Sequence, residues 1–127
     1  MLSEAAQDVD LGRWTVTQEF LNRYLATVED PSSIYREENL VPPIALAARI
    51  LGQLIEKLTL PPGTVHISQE VLSLKAVAVG QEVQGLARTS RPFLRGGWQF
   101  LSIDFALSCQ EQDVLKGKTT VMSPVKV

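Results

Sequence analysis

Residues 41–58, VPPIALAARILGQLIEKL, decide the fold. Proline is tolerated in the first turn of a helix, where its missing N–H would have had no intrahelical partner, so Pro42 and Pro43 mark the start of a helix predicted over residues 42–58. Ile44, Leu46, Ile50, Leu51, Leu54, Ile55 and Leu58, with Ala45, Ala47 and Ala48 between them, leave only a narrow polar stripe of Arg49, Gln53 and Glu56. A surface helix would be polar over about half its circumference. Burying each larger aliphatic side chain is worth roughly 1.5–3 kcal/mol, so this helix calls for protein on nearly every side and is expected to be wrapped by the rest of the chain. A membrane span needs about 20 uninterrupted apolar residues. Arg49, Gln53, Glu56 and Lys57 break the run, and no membrane association is expected.

The whole chain has 127 residues, the size of a single domain spanning 1–127, and a domain of that size buries roughly two thirds of the surface its unfolded chain exposes. Twelve basic against fourteen acidic residues give a net charge of -2, which creates no field to gather nucleic acid or an anionic membrane. A single cysteine, Cys109, excludes an intrachain disulfide, and with one histidine it cannot build a four-ligand zinc site, so no metal is expected. The opening MLSEAAQDVD lacks a basic stretch followed by an apolar run, so no secretory signal is expected and the cytoplasm is the expected compartment. Residues 1–11 are polar and acidic and are expected to be disordered.

Taken in order, residues 13–16 read as a short strand, and Thr17 as the N-cap of a helix reaching about Val28. Phe20, Leu21, Tyr24, Leu25 and Val28 give that helix one apolar face, which is expected to lie on a sheet. Residues 29–40, EDPSSIYREENL, form a charged, turn-rich loop into the central helix. After the break at Leu60-Pro61-Pro62-Gly63 the period becomes alternating. Val65 and Ile67 share one parity while Leu72 and Leu74 take the other, which predicts a bulge near Glu70. Residues 77–81 read as a connection with a turn at Gly80, and residues 82–90 as a strand. Leu101, Ile103, Phe105, Leu107 and Cys109 alternate strictly, so residues 98–110 are a strand, preceded by a Gly96-Gly97 hairpin turn. A last strand covers about 114–122. The short connections make these strands antiparallel neighbours.

A short strand, a helix, a loop, a long buried helix and a run of long antiparallel strands resembles the hotdog fold, an α+β architecture whose sheet wraps a central helix. Within it, WTVTQEFLNRYLATVED, VPPIALAARIL and LPPGTVHISQEVLSLKAVAVGQEV resemble the MaoC-like family, in particular the amino-terminal hotdog half of its bacterial dehydratases. The resemblance runs from about Gly12 to Val125. It implies action on acyl thioesters of coenzyme A or acyl carrier protein, with hydration or dehydration across a 2,3 double bond. It also implies no cofactor beyond the coenzyme A or phosphopantetheine that belongs to the substrate. Active members carry an Asp followed five residues later by a His. Here Asp30 takes the first place, but Tyr35 stands where the histidine belongs. A phenol with an unperturbed pKa near 10 is a poor general base at neutral pH beside an imidazole near 6.5. The resemblance therefore implies a non-catalytic half that shapes the acyl site while a second hotdog carries the chemistry.

Other residues remain candidates. His66, the single histidine, is either a satisfied polar side chain on the strand after the central helix or a substitute base, the latter requiring Asp30 or a partner's equivalent within hydrogen-bond reach. Arg88, Arg91 and Arg95 surround the turn before the strongest strand and are candidates for gripping phosphates, the solvated hairpin being the commoner explanation. Cys109 ends an apolar strand face and reads as a buried structural thiol; Asp104 has the opposite parity and faces solvent or a partner. A sheet curled round one helix leaves edge strands open to another chain, so at least a dimer is expected. Three readings stand: the non-catalytic subunit of a hydratase or dehydratase paired with a dyad-bearing hotdog, a homodimeric hydratase or thioesterase with a rearranged site, or a hotdog that binds or scaffolds without chemistry.

Overall fold

The computed structural model describes residues 6–28, 38–58 and 60–125. Its elements are β1 (Gln7–Thr15), α1 (Gln18–Val28), β2 (Leu40–Val41), α2 (Pro43–Leu58), β3 (Val65–Ser73), β4 (Val77–Ala78), β5 (Glu82–Thr89), β6 (Phe93–Arg95), β7 (Trp98–Cys109) and β8 (Gln112–Pro124). The main sheet runs β1-β5-β7-β8-β3 with β6 added beside β7, and each of these pairings is antiparallel. β2 and β4 form a separate two-stranded pair.

Local chemistry explains the element ends. Thr17 Oγ1 accepts the Phe20 backbone N–H at 3.1 Å, satisfying one of the unpartnered donors of the first turn of α1. α2 begins at Pro43, and the carbonyl of Pro42 accepts the Ala45 N–H at 3.0 Å. Gly96 and Gly97 have φ of 61° and 81°, the positive values that a two-residue hairpin turn between Arg95 and Trp98 requires. The β7–β8 hairpin closes through the same kind of turn with Gln110 and Glu111 at φ 51° and 64°, positions where a side chain is strained.

The core forms between α2 and the inner face of the sheet. α2 contributes Ala45, Leu46, Ala47, Ile50 and Leu54. Against them lie Val83 and Ala87 of β5, Leu101, Ile103, Phe105 and Leu107 of β7, and Leu115 and Val121 of β8. Gly117 makes room for Phe105, its cross-strand partner: a Cβ at Gly117 would overlap the ring and lie 2.8 Å from the Glu70 carbonyl oxygen.

Three expectations require correction. Residues 1–11 are not disordered throughout, because β1 begins at Gln7 and Leu11 is buried. The Val9 and Leu11 alternation continues into Trp14 only after the register shift between Asp10 and Gly12, and that break conceals the strand's period. The bulge in β3 lies between His66 and Ser68 rather than near Glu70, which puts His66 on the inner side and Ser68 on the outer. Finally, α2 is not covered on nearly every side by the described residues. Ile44 and Ile55 are 53% and 48% exposed, since one sheet can cover only one side of a helix.

Two substitutions test this account. Gly117→Ala should cost about 2 kcal/mol or more, as overpacking against a backbone carbonyl has nowhere to relax, and should lower the urea midpoint accordingly. Replacing Gln110-Glu111 by Asn-Gly should raise stability by about 1–2 kcal/mol by removing the positive-φ strain, read from the same titration.

Candidate functional site

Asp30 and Tyr35 lie outside the described residues. His66 stands near the start of β3 opposite Val121, exposed and on the side of the sheet that faces α2. Among the described residues its side chain makes no hydrogen bond or ion pair. β3 is exposed over most of its length: only one of its edges is paired among the described residues, with β8. It adjoins α2, whose Ile44, Ala48 and Ile55 share one exposed stripe at helical spacing. Val65 and Ile67 of β3 are each 47% exposed. Val65, opposite Met122, lies on the outer face away from α2, while Ile67 sits in the bulge, so the exposed apolar stripe on His66's side belongs to α2.

The three arginines are not gathered at one turn. Arg88 lies on the outer face of β5, 3.6 Å from Asp8 and opposite Asp104 in register. Arg95 is opposite Trp98. Asp104 and Trp98 are six residues apart on β7, so about 20 Å of strand separates the backbone positions of Arg88 and Arg95. Arg91 is exposed just beyond the end of β5. Cys109 is buried at the end of β7, and Asp104 is exposed on the outer face. Among the described residues no group of three or more His, Cys, Asp or Glu side chains is placed to hold a metal, and no helix is long and apolar enough to cross a membrane.

Solved structures share this arrangement along nearly the whole chain. A MaoC-like dehydratase from Rhodospirillum rubrum superposes with a TM-score of 0.81 at 14% identity, covering 100% of this chain and 99% of that one. The chain has the hotdog fold. An (R)-hydratase from A. caviae involved in PHA biosynthesis gives 0.78 at 18% identity, covering 98% of each chain. The C-terminally truncated HadBC complex from Mycobacterium tuberculosis, a 3R-hydroxyacyl-ACP dehydratase, gives 0.72 at 14% identity, covering 95% of this chain and 98% of that one. No family model matches the sequence, and no curated protein matches it.

One feature of this hotdog was not legible as such in the sequence. Arg49, read there as part of a polar stripe, lays its guanidinium 3.9 Å from the centre of the Trp14 ring and 5.5 Å from that of Phe20. The two rings meet edge to face at 5.9 Å. Burial lowers the Arg49 pKa from its usual value, and the group is still a cation at neutral pH. The contact ties α2 to β1 and to the first turn of α1, the helix that precedes Asp30 in the sequence. Nothing in the spacing of residues 14, 20 and 49 announces such a contact, because three separate elements supply it.

Arg49→Ala should therefore cost about 1–2 kcal/mol, combining a partly desolvated cation–π contact with lost packing, and Arg49→Lys should recover part of it. Exposed His66→Ala should stay within about 0.5 kcal/mol of the parent. Urea denaturation followed by tryptophan fluorescence measures all three.

Proposed function

We propose that this chain is a MaoC-like hotdog subunit that binds an acyl thioester as the non-catalytic half of an enoyl hydratase or 3-hydroxyacyl dehydratase, in company with a second hotdog that bears the Asp and His pair. The observation that carries the reading is, among the described residues, a half-exposed apolar stripe on α2 beside a strand with one unpaired edge. Such an edge invites a further strand, and Ile44 and Ile55 beside it provide apolar area for a partner to bury. One neighbour is itself a complex, the HadBC 3R-hydroxyacyl-ACP dehydratase.

The chemistry divides accordingly. Hydration of an enoyl thioester needs a base to take a proton from water and an acid to deliver one to the carbon next to the carbonyl. Asp30 with Tyr35 lacks the imidazole for this exchange, and His66 has no carboxylate partner among the described residues. The second hotdog supplies the pair, while this chain shapes and holds the acyl group. Arg91 and Arg95, which make no ion pair among the described residues, are the guanidiniums free to meet the phosphates of coenzyme A or phosphopantetheine. Arg88 is engaged by Asp8.

The test is the loss of enoyl absorbance with short and medium 2-enoyl-CoA thioesters. The purified chain should be silent alone and should raise turnover when a dyad-bearing hotdog is added; turnover by the chain alone would overturn the proposal and direct attention to His66 in a homodimer. Ile44→Glu with Ile55→Glu should weaken capture of that second hotdog by at least tenfold, equivalent to about 1.4 kcal/mol, without changing the fold seen by circular dichroism.

A further inference from the structure

The outer face of the sheet, turned away from α2, carries an ordered pattern of charge. In register across the strands, Asp8 is opposite Arg88, Arg88 opposite Asp104, Asp104 opposite Lys118, and Lys118 opposite Glu70. The sign alternates at every strand. The neighbouring row reads Asp10, Leu86, Ala106, Lys116 and Leu72, and the row beyond it Arg13, Gln84, Ser108 and Asp113. The first two rows line an open trough of about 960 Å³ that reaches from β1 to β3. Leu86 and Leu72 are 51% and 59% exposed there. Among the described residues Asp104 and Lys118 form no ion pair, although they are cross-strand neighbours.

We infer that this face docks a second copy of the same chain, sheet against sheet, about a two-fold axis that runs along the strand direction between β5 and β7. A floor whose sign changes about every 4.8 Å offers no net field to a small anion or cation. It does offer a code to another sheet with the same spacing. An axis lying on β5 or on β7 would set like against like, Arg88 on Arg88 or Asp104 on Asp104. Moved half a strand, to between β5 and β7, the same rotation sets Arg88 against Asp104 and Asp8 against Lys118. The next row then sets Asp10 against Lys116 and Leu86 against Ala106, and the third sets Arg13 against Asp113 and Gln84 against Ser108. Every row becomes complementary under one operation.

Shape agrees with charge. A twisted sheet is carried onto its own form by a two-fold axis along its strands, so two copies nest face to face in the aligned packing of sandwiches. The overlap uses β1, β5, β7 and β8 and leaves β3 free, so it is separate from the edge invoked in the proposed function. Four strands about 19 Å wide overlapping over about 25 Å give about 500 Å² on each copy, about 1,000 Å² in total, the lower end for a specific contact. Charge then sets register more than strength, and the association is weak, reversible and sensitive to salt. The existing local ion pairs, Arg88–Asp8 at 3.6 Å and Lys116–Asp113 at 3.5 Å, are exposed and exchange cheaply.

The experiment is light scattering of the full chain at low salt up to roughly 1 mM, a range suited to weak complexes, with Arg88→Asp and Asp104→Arg variants studied singly and mixed. Whatever species the chain otherwise forms, this contact doubles its mass. The parent should double with concentration and lose the doubling at high salt. Each variant alone should stay at half that mass, since like charges would face across the axis. An equimolar mixture of the two should regain it, because the arginine at position 104 then meets the aspartate at position 88 of the other chain. Neither chain regains its own pair in that mixture, so recovery reports a contact between chains. A parent that never doubles, a single variant that still doubles, or a mixture that fails to recover would overturn the inference. If either variant loses its fold by circular dichroism, Ala106→Arg, which crowds Leu86 of the other copy, must abolish doubling, and its persistence would be equally fatal. The readout is mass, so it stands apart from the enoyl assay and its partner.

Discussion

The burial of Leu46, Ile50 and Leu54 of α2 against the inner side of one antiparallel sheet is the contact on which the rest of the molecule depends. A helix with a continuous apolar surface cannot be satisfied by a single sheet, because the sheet reaches one side only. That shortfall shapes the exterior. It leaves Ile44 and Ile55 half exposed, beside a strand that is unpaired on one edge among the described residues. The helix that supplies the core thus also carries an apolar stripe on the surface.

The elements differ in how openly their sequences announce them. α2 was legible because two prolines fix its start and its aliphatic spacing is helical, and β7 because five inward residues alternate without a break. β1 was hidden by the shift at Gly12, which moves Trp14 to the parity opposite Val9 and Leu11 while all three face inward. β3 was placed correctly but its bulge was not, because Val65, Ile67, Leu72 and Leu74 are all exposed, and exposed residues carry no period that burial would enforce. The hotdog arrangement followed from order and spacing, while residue contacts such as Arg49 on Trp14 depend on where three elements meet.

The candidate site shows the same division. That position 35 is a tyrosine is a fact of sequence and needs no coordinates. The placing of Arg88 away from Arg95 is a fact of register, and nearness in sequence suggested the opposite. Register also brings Asp8, Arg88, Asp104 and Lys118 into one row, although 110 residues separate the first from the last. Two surfaces therefore have distinct chemistry: an apolar one beside α2, suited to a stable partner, and a charged one on the outer face, suited to a weak one.

The central claim is that the side bearing α2 and β3 is made to be covered by a second hotdog. Amide hydrogen exchange along β3, measured with and without a dyad-bearing hotdog, tests it most directly, since an open edge exchanges rapidly and a paired one does not. The account predicts that adding the partner slows exchange in residues 65–73 by tenfold or more and leaves β1, at the opposite edge, unchanged. Exchange along β3 that is indifferent to the partner would contradict it.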